Sequence, residues 1–153
     1  MTRSRTSARS ADTSPCAVTF TVPGYPAPQG SKRHVGRGIL VESSKAVGPW
    51  RERVALAAHQ AMAGRPHLPG GVAVHLDFVL PRPKSTPKTQ TPPAVKRPDL
   101  DKLIRACLDA ITGICIGDDS QVVAIVASKR LAEVGETPGV GVDIRSTNGR
   151  CYA

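Results

Sequence analysis

Residues 72–80, VAVHLDFVL, alternate apolar and polar positions so that Val72, Val74, Leu76, Phe78 and Leu80 share one face. A period of two predicts a half-buried strand. Residues 17–22 (AVTFTV) alternate in the same way, and Pro23, Gly24, Pro26 and Pro28 end that strand. A short strand is expected at 38–42 and a weaker last one at 140–144. Two stretches carry a helical period instead. Trp50, Val54, Ala57, Ala58, Ala61 and Met62 predict a helix over 49–63, with Pro49 at its start and Gly64 and Pro66 beyond its end. Leu100, Leu103, Ile104, Cys107, Leu108 and Ile111 predict a better-defined helix over 100–112. Its opposite arc holds Asp101, Lys102, Arg105, Asp109 and Thr112, and Gly113 stops it. After a GDDS turn at 117–120, the continuous apolar run in QVVAIVAS (121–128) reads as a strand of the buried kind.

This order predicts an α/β (α+β) fold: one compact domain, a mixed β-sheet with two main helices packed on it. Residues 1–15 are expected to be a disordered basic N-terminal tail, 16–147 the folded domain and 148–153 a C-terminal tail. At 153 residues the chain is long enough to bury a core without a disulfide or metal staple. Between the 72–80 strand and the second helix, residues 81–98 hold six prolines and five basic residues with no acid. That composition excludes a helix or an inner strand and predicts a mobile, positively charged loop.

Charge changes the picture next. Lys and Arg number 21 against 12 Asp and Glu, a net +9, which favours a polyanionic partner. Aromatics are only 3% of residues, so base-stacking platforms are not expected. No apolar run approaches the roughly 20 residues of a membrane-spanning helix. The basic start is followed by no hydrophobic segment of the export type, so a cytoplasmic location is expected. Cys16, Cys107, Cys115 and Cys151 form no C-x-x-C pair, and free thiols in a reducing cytosol are the expectation. No G-x-G-x-x-G or Walker-type loop supports nucleotide binding.

Within this cationic chain five acids fall between positions 99 and 119: Asp99, Asp101, Asp109, Asp118 and Asp119. Crowded like charges repel, and a bound cation offsets the cost. Mg²⁺ takes oxygen ligands and commonly uses a few carboxylates with water and substrate phosphate. Each acid also has a structural reading. Asp99 suits a helix N-cap and Asp101 a first helical turn. Asp118 and Asp119 suit a turn, and Asp101, Arg105 and Asp109 are spaced for i,i+4 ion pairs. From spacing alone the structural readings outweigh metal ligation. The flanking basic loop and Lys129–Arg130 shift the balance, because a positive rim around an acidic centre suits phosphodiester chemistry. Whether the two acidic pairs meet in one chain, or need a second subunit, spacing leaves open.

Residues 96–130 resemble the signature region of the RusA family of Holliday junction resolvases. The matching residues are Asp99-Leu100-Asp101, Leu108-Asp109-Ala110-Ile111, Gly113, Asp118-Asp119-Ser120-Gln121 and the Val/Ile-rich strand ending at Lys129. A fainter likeness lies in FTVPGYPAPQGSKR at 20–33 and in Trp50-Arg51. The resemblance implies a small homodimer that binds four-way DNA junctions and nicks them symmetrically with Mg²⁺. It places the catalytic carboxylates at Asp99, Asp101 and Asp119, with Asp118 beside them as a metal ligand. The family's helix lysine falls on Arg105, which keeps the charge but cannot give up a proton. The family's Asn after Asp-x-Asp falls on Lys102. Lys32, Arg33, Lys84, Lys88, Lys96, Arg97, Lys102 and Lys129 are the expected DNA contacts. Two other functions fit the same features: a non-catalytic DNA-binding or architectural protein, and a nuclease for other branched DNA.

Overall fold

Four strands make one mixed sheet in the order β1–β6–β4–β5, where β1 is Ala17–Pro23, β4 Val72–Leu80, β5 Val122–Leu131 and β6 Gly139–Ser146. The computed structural model describes residues 16–30, 32–34, 36–37, 40–42 and 45–148; the expected tail at 1–15 and most of that at 148–153 lie outside them. β6 pairs antiparallel with both β1 and β4, and β4 pairs parallel with β5. Lys32–His34 (β2) and Leu40–Glu42 (β3) form a separate antiparallel hairpin. Two helices, α1 (Val47–Met62) and α2 (Leu100–Ile111), cover one face of the sheet. This is the α+β arrangement expected, with an open rather than closed sheet.

The period-two strands bury the residues that their alternation selects. Val18 and Val22, Val140, Val142 and Ile144, and Val72, Val74, Leu76, Phe78 and Leu80 face the helices. Trp50, Val54, Ala58 and Met62 of α1 and Leu103, Ala106, Cys107 and Ile111 of α2 meet them. The other sheet face is open: Thr19 is bonded there to Asp143 and Ser128 to Asp77, and Val126 of β5 lies exposed on it. β4 has the boundaries that its alternation predicts. Helix α1 begins two residues before Pro49, whose missing N–H falls in the first turn, where no intrahelical acceptor exists.

Strand β5 departs from expectation. Its apolar run predicts burial on both faces, yet it is an edge strand. Val123, Val126 and Ile125 are 65%, 60% and 42% exposed. Helix α2 lies against α1 and meets β5; Val122, Ala127 and Leu131 pack on the core there, whereas Val123, Ile125 and Val126 do not. The cysteines also divide. Cys107 and Cys115 are free and buried, whereas Cys16 is disulfide-bonded, against the expectation of free thiols throughout.

Candidate active site

Asp99 occupies the N-cap position of α2 in an extended conformation, but its side chain makes no capping hydrogen bond. The structural role that would best explain it is therefore not realised. Asp101 stands exposed in the first turn. Among the described residues neither carboxylate has a hydrogen-bond or ion-pair partner. Arg105 is exposed one turn further along and is likewise unpaired there. The expected Asp101–Arg105–Asp109 ladder does not form; Asp109 lies 3.6 Å from Arg51 instead. Two free carboxylates and one free guanidinium thus share the N-terminal half of α2, where aligned peptide dipoles also attract anions.

Three anchors fix this end of the helix. Lys129 reaches over from β5, and its Nζ donates to the carbonyls of Lys96 (2.9 Å) and Pro98 (2.8 Å), just before Asp99. The charge expected to meet DNA therefore also holds the backbone beneath the acidic pair. The Gln29 N–H donates to the Lys102 carbonyl at 3.0 Å, so the basic β2–β3 hairpin leaves the body beside the first turn of α2. Lys32 and Arg33 stand on that hairpin, and their side chains lie outside what the structure describes. The third anchor is Arg82, which the sequence did not single out. Its guanidinium donates to Thr91 Oγ1 (2.8 Å) and to the carbonyls of Ala132 (3.2 Å), Pro87 and Gln90 (2.6 Å). The Thr91 hydroxyl in turn donates to the Glu133 carboxylate at 2.6 Å. The basic loop is thus gathered around one side chain rather than left loose. Lys84, Lys88, Lys96 and Arg97 remain exposed on it, and Lys102 is half-buried beside Asp101.

The second acidic pair has a different setting. Asp118 caps a 3-10 turn over Asp119–Gln121. Its carboxylate accepts from the Ser120 N–H at 3.1 Å and from the Ser120 hydroxyl, and these bonds hold its pKa below the ordinary value. Gln121 closes the box, accepting from the Gly117 and Asp118 N–H groups and donating through Nε2 to the Leu68 and Gly70 carbonyls at 2.9 Å each. Gln121 was visible in the motif, but its task of tying the turn to the start of β4 was not. Asp119 points away exposed, without a partner among the described residues.

A parallel β4–α2–β5 crossover carries the chain out at one end of the sheet and brings it back at the other. Asp99 and Asp101 therefore stand at the C-terminal ends of β4 and β5, beside Lys129, while Asp118 and Asp119 stand at the N-terminal ends. At ~3.3 Å per residue, Val122 and Lys129 are about 23 Å apart. One cation, with ligand oxygens about 2.1 Å away, cannot span that gap. Among the described residues no three acids, histidines or cysteines gather as a metal site. One chain assembles Asp99, Asp101 and Arg105, and keeps Asp118 and Asp119 apart from them.

A family model described as Endodeoxyribonuclease RusA matches residues 23–145, most of the chain. No curated protein matches it.

Proposed function

The chain belongs to the RusA endodeoxyribonuclease family, and from that premise we propose that it resolves four-way DNA junctions by paired, symmetric, Mg²⁺-dependent nicks in the cytoplasm. The observation that carries this reading is the unspent Asp99–Asp101 pair at the N-terminus of α2, ringed by clamped basic segments. Short, exposed carboxylates fit a hard divalent ion, which commonly takes one or two carboxylates and fills its other positions with water and phosphate. Asp99 and Asp101 would hold Mg²⁺; Asp118 and Asp119, at the far end of β5 in the same chain, would complete the set only from a second copy. A divalent ion held by these carboxylates would supply water activation and charge stabilisation at the scissile phosphate.

The chain's own residues do the rest. Arg105 sits one turn from Asp101 and neutralises a phosphate oxygen; as an always-charged guanidinium it takes no part in proton transfer. Lys84, Lys88, Lys96, Arg97 and Lys102 grip the backbone of the arms without reading sequence, as do Lys32 and Arg33 on the hairpin. Lys129 keeps the Lys96–Pro98 backbone fixed and so orients Asp99. A junction has two-fold symmetry, and a homodimer supplies two equivalent sites to match it.

A synthetic immobile junction incubated with and without Mg²⁺, with nicks mapped on all four strands, tests the proposal. Metal-dependent nicks at symmetry-related positions are expected. Asp101→Asn should lower cutting by at least about 100-fold, roughly 2.7 kcal/mol of barrier, while junction binding holds or tightens as a repulsive charge is lost. Full cutting by that variant would defeat the assignment. The separation of the acidic pairs favours one competing reading, a DNA binder without catalysis. It predicts a salt-sensitive complex and no nicks at any Mg²⁺ concentration. Flap and duplex substrates run beside the junction distinguish a resolvase from a nuclease of other branched DNA.

A further inference from the structure

One aromatic ring among the described residues stands in the open. Trp50 and Phe78 are buried and Phe20 is half-buried, whereas Tyr25 is 72% exposed and its phenol has no partner there. The scarcity of aromatics excludes a row of such rings but not this single one. The backbone beneath the ring is firmly held. The Gly24 N–H donates to the Pro138 carbonyl at 2.9 Å, Arg53 Nη1 donates to the Pro23 carbonyl at 3.1 Å, and Pro26 and Ala27 are buried just after Tyr25. A tyrosine has two side-chain torsions, so on a fixed backbone it loses little freedom when a flat ligand covers it.

The ring borders a groove of about 360 Å³ between the basic loop at 81–88 and the turn at 132–138 that joins β5 to β6. Pro83, Val134 and Pro138 line its apolar part. Lys84 and Lys88 stand exposed on it, and no carboxylate pairs with either among the described residues. The two acids of the groove are engaged: Glu136 takes Arg130 on both its oxygens, and Glu133 accepts from Thr91. What remains on offer is an aromatic face, an apolar lining and two unpaired ammonium groups. A nucleotide matches all three, with a base for the ring and phosphates for the lysines. A proline-rich peptide would use the ring and the lining but leave the lysines idle.

The location agrees. β1, β4 and β5 all finish at this end of the sheet, the end at which Asp99 and Asp101 stand. Inside a duplex each base is covered by its neighbours, so only an unstacked base can lie on Tyr25. We infer that this groove seats one unpaired nucleotide, with its base stacked on the Tyr25 ring and its flanking phosphates on Lys84 and Lys88. Unstacking costs least where pairing is already lost, as where the arms of a branched DNA part. The seat therefore favours branched over linear DNA. The inference deepens the nuclease reading and rests on it only for the source of the nucleotide, since the binding itself needs neither metal nor cutting.

A short fluorescent oligothymidylate, titrated in EDTA at low salt and followed by anisotropy, tests the seat. Wild type should bind it. Tyr25→Ala should weaken that binding roughly 5- to 150-fold, the worth of one base–aromatic stack. Tyr25→Phe, which keeps the ring, should bind as wild type. Affinity for a blunt duplex and the urea midpoint should be the same in all three, because the ring is already in water. Lys84→Ala with Lys88→Ala should flatten the slope of log K against log salt by about 1.4, two phosphates' share. A wild type that ignores oligothymidylate overturns the seat, whether or not it takes up a proline-rich peptide. So does a Tyr25→Ala protein that binds the oligonucleotide as wild type, or that loses duplex binding equally. Tyr25-dependent binding in a protein that never nicks a junction with Mg²⁺ upholds the seat and defeats the nuclease reading instead.

Discussion

The two edges of the sheet are built to different rules. At β1 the alternation is clean: Val18 and Val22 point into the core, Thr19 and Thr21 point out, and Pro23 ends the strand. At β5 valine, isoleucine and alanine occupy both faces and stay exposed. The first edge is finished within one chain. The second carries more apolar surface than its own fold uses, and the surplus sits where another backbone can pair with it.

The sharpest way to break this contrast is to place the same charge at both edges. Val22→Asp buries a carboxylate with no partner and should cost more than about 4 kcal/mol in urea unfolding. The interior next to that edge offers a pH test. Burial pushes the Cys107 thiol up to about 12, which its contact with Trp50 offsets only in part, and the Cys115 thiol up to about 11. Both folded values lie above the unfolded one. Their stabilisation is therefore complete below about pH 9 and is lost as pH rises toward 11–12, by a few kcal/mol for Cys107. Urea midpoints measured from pH 8 to 11.5 should fall over that window, and a Cys107→Ser, Cys115→Ser protein should lose the trend. Gln121→Ala removes the bonds to Leu68 and Gly70 and should cost about 1–3 kcal/mol, with faster amide exchange at the start of β5. Smallest of all, Val126→Asp should change unfolding by less than about 1 kcal/mol in dilute protein, because its side chain is already in water. A large cost there would show that β5 serves its own fold after all.

Much of this contrast was not legible in the sequence. β4 and α2 could be read nearly to the residue because one face of each is buried and the other is wet, so burial follows the period of the backbone. β5 could not, since a continuous apolar run looks the same whether a partner strand comes from this chain or another. The insertion of β6 between β1 and β4 joins residues far apart in sequence, which local patterning does not encode. At the site, Asp99 and Asp101 were marked by their place before an apolar helix. The position of Asp118 and Asp119 followed only from the direction of β5, for the parallel crossover sends them to the far end. Arg82 and Gln121 escaped notice as scaffold residues because their partners are mostly backbone carbonyls and amides, which carry no residue-specific signal.

Lys129 has a consequence for when the enzyme is armed. Its ammonium ties the far end of β5 to the residues leading into α2, so whatever stiffens that strand also stiffens the footing of Asp99. A molecule whose β5 frays at this end would lose the footing of the acidic pair, so the site is armed only while the edge strand is held.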